Sequence, residues 1–564
     1  MAYLVGKKQK GKTYYYLTES ARVNGKPRIV SQQYLGSAEE IAQRLSEAGP
    51  GEPDRSRHLA FGDLAAVWGV LERLGVAAIV DEVVGDRRAD AAASVGTYLA
   101  LATLNRVVAP CSKLAFAQWW DTTAGERVVG QQLTSGALDH RRFWDAMDAV
   151  APEQLVEIER RITERLVERY ALDCSGLALD MTNFATFIDS ANDRASIAQR
   201  GHAKQKRNDL RLVGLGLVVS TDGGIPLVSH AYAGNHHDSV EFPSVIHELV
   251  ARFASMGQDK EALTVVFDAG QNSAQNLALV DGTPLHFVGS LPPADHPDLL
   301  AVPKSRYKVV EGERFAGLRA FETKKVVFGR ERRVVVTFSQ NFFDKQSAGF
   351  EQTLAKARRQ LAAVAARLAR GNTRKSADQV QAEIETILSP RWVARVISVT
   401  LFGDKPSELS LTWRTDQRAK AALANELFGK RVLFTDRDDW PVEEVVAAYR
   451  SQSEVEGDFR QMKDRHVVSF SPMFHWTDQK IHVHAFYCVL ALTVARLMRR
   501  ETERAGLPMS VGALLSALGG IEETLLLYHG ERGRPRARRM LTEMDDTQAR
   551  LYELFELERY APTR

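Results

Sequence analysis

Cysteine is scarce in this chain. Cys111, Cys174 and Cys488 are the only three in 564 residues, they lie far apart, and no CxxC pair occurs. That pattern excludes a zinc ribbon and a disulfide framework and fits a reducing compartment. Long apolar runs are missing as well. The most apolar stretch, AFYCVLALTVA at 485–495, is bounded by His484 and Arg496. A bilayer span needs roughly 20 residues, so a buried helix and no membrane partner are expected. The start, MAYLVGKKQKGK, has no apolar core like that of a signal peptide. Charge of one sign is also lacking, since 74 Lys and Arg face 71 Asp and Glu for a net charge of +3. Total charge therefore does not demand a nucleic-acid partner, and any such role must rest on local clusters. No internal repeat or low-complexity tract is present. The length exceeds what one hydrophobic core supports.

The chain reads as a succession of segments. Residues 1–55 form a small basic β unit, with strand-like runs on either side of Asn24-Gly25, a strong hairpin signal. Its first 28 residues hold seven Lys and Arg against one acid, which marks it as a DNA contact. Residues 56–170 read as a mainly helical domain, also expected to bind DNA. From 171 to 291 the pattern becomes β-β-β-α-β-α-β: LALDMTNF, two strands meeting at Asp222-Gly223, an amphipathic helix opened by an Asp238/Glu241 capping box, LTVVFDAG, a short helix and LHFVGSL. Periodicity alone gives a mixed α/β sheet. The order of elements together with the acid positions is that of an RNase H-like core. Residues 292–436 break the pattern with short strands and two long helices split at Gly371-Asn372, and read as a β-rich and helical insertion. Residues 437–530 return to the core, and 531–564 form a basic-then-acidic tail.

Three acids stand out. On a helical wheel of roughly 100° per residue, Tyr449, Gln452, Glu456, Phe459 and Lys463 of YRSQSEVEGDFRQMKD continue a stripe begun by Val442, Val445 and Val446. Glu456 is then the carboxylate facing the sheet, with Glu454 and Asp458 turned to solvent. A buried carboxylate needs a partner, either an arginine or a metal. Asp180 sits mid-strand in LALD, where aspartate is a poor strand former. Asp268 ends the apolar strand TVVFD, at the carboxyl end where α/β sheets place ligands. Three acids converging on one point repel unless cations hold them, and hard oxygen ligands suit Mg²⁺ or Mn²⁺. GNHHDS at 234–239 is read as a loop rather than a metal site, because His236 and His237 are adjacent in sequence.

These pieces resemble DDE transposases of bacterial insertion sequences, in particular the group with a Tyr-x2-Arg-x3-Glu-x6-Lys signature. Tyr449, Glu456 and Lys463 fit it, and Gln452 stands where that group has arginine. The likeness extends to LDMTNF, VFDAGQNS, RGHAKQKR and PMFHWTDQKIHVHAFYCVLAL, over about 170 to 500. It implies that Asp180, Asp268 and Glu456 hold two Mg²⁺ or Mn²⁺ ions and cut and rejoin DNA by phosphoryl transfer. It also implies that Tyr449, Lys463 and Gln452 touch the DNA backbone, with Arg450 as a substitute for the missing arginine. Lys204, Lys206 and Arg207, in the basic stretch 200–211, are further expected DNA contacts. The implied partners are the terminal inverted repeats, target DNA and a second copy of the chain in a synaptic complex, in a bacterial cytoplasm. A structure-specific nuclease without strand transfer, or a non-catalytic DNA-binding derivative, are the competing functions.

Overall fold

The strand Leu212–Ser220 is buried at every position, as its unbroken apolar run requires of a strand covered on both faces. It is part of a nine-stranded mixed sheet in the computed structural model, which describes residues 2–23, 26–47, 52–85, 91–134, 136–189, 191–207, 209–256, 263–371, 374–528 and 536–563. Asn24-Gly25, Asn208, Asn372 and residues 532–535 of the basic tail lie outside the described residues.

Gly176–Ala185 pairs antiparallel with Leu212–Ser220, which pairs antiparallel with Ile225–Ala233. The turn between the last two places Gly223 and Gly224 at φ +93° and +67°, a conformation that a Cβ disfavours. On its other side Gly176–Ala185 runs parallel to Thr264–Phe267, and that strand runs parallel to His286–Leu291. The sheet continues through Lys430–Thr435, Arg330–Ser339, Leu318–Val327 and Lys308–Val309, all antiparallel. The segment 292–436 is therefore divided. Its first and last strands extend the sheet. The helices Gln340–Ala369, Ala377–Leu388 and Gln417–Leu427 and the hairpin Ile397–Phe402/Ser410–Thr415 stand outside it.

The chain splits into two compact units: residues 67–118 with 132–515, which contain this sheet, and residues 1–66, 119–131 and 516–564. The second unit holds an antiparallel sheet of Ala2–Gln9, Lys12–Val23 and Lys26–Ser37. A separate sheet pairs Arg55–Ala60 with Glu522–Tyr528 and the latter with Arg536–Leu541. Residues 516–528 thus group with the chain's beginning rather than with the large sheet. Glu523 there is fully buried and is held by Arg127 and Arg539.

In the larger unit, helix Asp478–Arg504 contains the apolar run at 485–495. It packs on helix Val95–Val108 and strand Ile225–Ala233. The helix is longer than the run, and by length and composition it could cross a membrane, but its apolar window is 94% buried within the protein. The amphipathic helix Asp238–Ser255 buries Phe242, Val245, Ile246, Leu249 and Phe253. No capping box forms there. His237 is its N-cap without a side-chain bond, because Asp238 accepts from Tyr232 and Lys204 while Glu241 engages His236 and His230.

The signature helix is not continuous. It breaks at Ser451 into Val442–Arg450 and Gln452–Met462. The second piece is sandwiched between strand Gly176–Ala185 and helix Asp478–Arg504, so it buries two faces: Gln452, Val455, Asp458, Phe459 and Met462. The solvent-facing expectation for Asp458 is corrected accordingly. This side chain is fully buried and paired with the Arg496 guanidinium. Burial pushes the Asp458 carboxyl up to about 7, against the pull of Arg496. Leaving one charge of such a pair alone in the interior costs about 3–5 kcal/mol. Arg496→Met is therefore expected to lower the unfolding free energy by about that amount, read from urea titration at pH 7.5. Replacing both partners with apolar residues should recover much of the loss.

Candidate active site

Asp180 and Asp268 occupy equivalent places on neighbouring parallel strands. The ladder between these strands pairs Gly176 with Thr264, Leu177 with Val265 and Ala178 with Val266, then stops. Each aspartate lies two residues beyond the last pair. At that point the side-chain amide of Gln452 spans the two strands, donating from Nε2 to Leu179 O and to Val266 O at 3.0 Å each. Gln452, expected at the DNA, is instead 7% exposed and bridges the two strands beside the aspartates.

Glu456 lies one turn further along the same helix, on its exposed side. Asp180, Asp268 and Glu456 line one cavity of about 400 Å³, together with Arg431, Tyr449, Arg450 and Gln452. Asp268 is fixed through one oxygen, because Ser290 Oγ and Tyr449 Oη donate to its Oδ1 at 2.6 and 3.1 Å. Asp180 is half-buried, and its Oδ1 accepts the N–H of Met181 at 2.7 Å. Burial pushes its carboxyl up to about 6, against the pull of the Met181 N–H and of Lys204 and with a smaller upward push from Asp238 and Asp268. Among the described residues none of the three carboxylates forms an ion pair.

Two lysines flank the strand just past Asp180. Lys463 Nζ donates to Thr182 Oγ1 at 2.7 Å, and Lys204 Nζ donates to Met181 O at 2.5 Å and to Asp238 at 3.1 Å. Burial and the neighbouring Lys204 pull Lys463 below the usual lysine range. Arg450 donates to Arg314 O at 2.6 Å and lies 5.0 Å over the Phe315 ring, at the edge of the cavity. Lys206 is exposed, and the exposed Arg207 makes a two-pronged pair with Asp209 at 2.9 and 2.7 Å. The structure thus gathers Asp180, Asp268, Glu456, Tyr449, Arg450 and Gln452 at one cavity, with Lys463 and Lys204 beside it. Lys206 and Arg207 do not line that cavity.

Two contributors escaped the sequence. Ser290 orients Asp268, and its signal was a hydroxyl inside the buried run LHFVGSL. Arg431 lines the cavity, its guanidinium 5.6 Å from the Tyr449 ring. Nothing in GKRVLFTD distinguishes it from a solvated strand arginine.

The donor set is all hard oxygen, with Asp180 Oδ2, Asp268 Oδ2 and the Glu456 carboxylate free of hydrogen-bond partners among the described residues. That chemistry suits Mg²⁺ or Mn²⁺. Among the described residues no three acidic, His or Cys side chains stand close enough to form a ready-made metal cluster. The fit is thus one of ligand chemistry and shared cavity, and Glu456, on an exposed helix face, is the candidate ligand with room to move. Removing the Gln452 amide would delete two buried hydrogen bonds, each worth about 0.5–1.5 kcal/mol net. Gln452→Leu should lose about 2 kcal/mol or more in urea unfolding. Gln452→Arg, which carries paired N–H groups, should lose less.

Residues 175–492 match the family described as transposase DDE domain. No curated relative matches the chain. Among solved structures, the chain is similar to one described as the cryo-EM structure of piggyBac transposase synaptic complex with hairpin DNA. That match has a TM-score of 0.34 and 8% identity, and covers 83% of this chain and 82% of that one, a likeness too distant to place the fold.

Proposed function

Because the chain belongs to the transposase DDE domain family and is a transposase, we propose that it serves a bacterial insertion sequence. It binds the terminal inverted repeats of its own element, cleaves at the element ends and joins the freed 3′-OH to target DNA. It works in the cytoplasm, as a homodimer in the synaptic complex. Segments 171–291 and 437–530 act as an RNase H-like core around the 292–436 insertion, and the basic β unit, the helical segment and the tail add DNA contacts. The observation that carries this reading is the cavity itself: three carboxylates from distant parts of the chain, none ion-paired among the described residues, where the ladder between two parallel strands stops.

The family uses divalent metal ions, and Asp180, Asp268 and Glu456 are the residues that would hold two of them here. When bound, such ions supply charge stabilisation to the attacking and leaving oxygens of an in-line displacement at phosphorus. The protein groups do the positioning. Ser290 and Tyr449 aim Asp268 by holding its Oδ1. Gln452 keeps the two aspartate strands at a fixed separation. Lys463 and Lys204 supply positive charge for the DNA backbone beside Asp180, as point charges on phosphate.

The test uses the full chain, Mn²⁺ or Mg²⁺, and DNA ending in the inverted repeats that flank the coding region. Cleavage at the repeat end and a joined product are expected. Asp180→Asn, Asp268→Asn and Glu456→Gln should each reduce both by roughly 100-fold or more. Mn²⁺ should raise the melting temperature of the parent chain and not that of Asp268→Asn. Cutting without joining would identify a structure-specific nuclease. Folded protein that cuts no DNA with either metal would identify a non-catalytic derivative.

A further inference from the structure

Two arginines share the cavity with the three carboxylates. Arg431 comes from strand Lys430–Thr435, and Arg450 from the last turn of helix Val442–Arg450. Both side chains are exposed. Among the described residues neither forms an ion pair, although three acids line the same space. Arg431 is held by rings. Its guanidinium lies 4.7 Å from the Phe342 ring and 5.6 Å from the Tyr449 ring, and both rings line the cavity too. Such contacts orient a flat guanidinium and leave its N–H donors unspent. Among the described residues no protein atom accepts a hydrogen bond from the Arg431 side chain. Arg450 spends one nitrogen on Arg314 O at 2.6 Å. Burial, then Arg431, then Arg314 pull Arg450 below the usual arginine range. Positive charges are crowded here with no acid to answer them.

Tyr449 stands between the acids and these cations. Its hydroxyl donates to Asp268 Oδ1 at 3.1 Å, and its ring faces Arg431. One side chain therefore holds acid and cation near each other without letting them pair. Carboxylates on one side call for cations, and guanidinium groups on the other call for an anion. A planar guanidinium fork fits two oxygens of one phosphate. A DNA strand carries one negative charge per nucleotide, about every 3.4 Å of rise. A strand with one phosphate at the carboxylates thus brings a neighbouring phosphate toward Arg431.

We propose that Arg431 grips the phosphate next to the one that is cut, with Arg450 adding positive charge beside it. This rests on the DNA-cleaving reading of the cavity and deepens it. The 292–436 segment, which separates the second and third acids, then supplies a DNA contact at the cut itself.

The test measures binding of a repeat-end duplex by fluorescence anisotropy. It uses the full chain carrying Asp268→Asn, without metal, so that no cutting interferes. Adding Arg431→Gln should weaken binding by about tenfold, the scale of one charge-assisted contact. Between about 50 and 200 mM salt, the slope of log affinity against log salt should shrink by about one, as expected for one lost phosphate contact. Arg431→Lys should keep the slope and lose part of the affinity, because an ammonium keeps the charge without the two-pronged fit. Neutral methylphosphonate is then placed at one phosphate at a time. The position that Arg431 holds should weaken the Arg431 chain and leave Arg431→Gln unaffected.

Unchanged affinity and slope in Arg431→Gln overturn the proposal. So does an equal loss in both chains at every methylphosphonate position near the cut. Metal-dependent cutting by the parent chain with parent-like DNA binding by Arg431→Gln sinks this inference alone. A slope change with no cutting by the parent in either metal sinks the cleavage reading and keeps the phosphate contact.

Discussion

The geometry of the site depends on where one parallel ladder stops. Gly176–Ala185 and Thr264–Phe267 stay paired through Ala178–Val266 and then part. Where the ladder stops, the Gln452 amide takes over the cross-link, donating to one carbonyl on each strand. That contact sets the spacing of Asp180 and Asp268 and also fixes the start of the helix that carries Glu456. A two-stranded constraint therefore places all three acids.

The phase of that helix is set from its other side. Asp458 and Arg496 form a buried pair across to helix Asp478–Arg504, while Val455 and Met462 are buried beside it. With Gln452 toward the strands and Asp458 toward the long helix, Glu456 is left at the cavity mouth, partly solvated. A buried pair of this kind adds little net stability but strongly disfavours any rotation that would unpair it. Here it acts as a register pin for a helix interrupted at Ser451.

Much of the α/β portion was legible in the sequence because its signals are local. Continuous apolar runs marked Leu212–Ser220 and Thr264–Phe267, and the Asp222-Gly223 turn marked a hairpin. An aspartate inside LALD was visible as an anomaly that needed a reason. The wheel put Glu456 on the buried, sheet-facing stripe and Asp458 in solvent, and the structure exposes the first and buries the second, because the wheel assumed one continuous helix with one wet face. A break at Ser451 and burial on two sides are tertiary facts, and no periodicity contains them. The strands at 308–339 and 430–435 looked like part of a separate body for the same reason. Whether a strand joins one sheet or another is decided by edge pairing across more than a hundred residues, not by its own composition. Ser290 was hidden because its partner, Asp268, lies on another strand.

The placement of Lys430–Thr435 explains how a long intervening segment leaves the third acid in reach. That strand pairs with His286–Leu291, which pairs with the strand of Asp268, so the chain returns to the sheet two strands from where it must act. Asp436 accepts from the Phe287 N–H at 2.9 Å and pins the exit. The helix Val442–Arg450 then crosses back, burying Val445 and Val446 against Val266, Val288 and Leu433. Everything between 340 and 427 can vary in length without moving Glu456, provided the Lys430–Thr435 pairing holds.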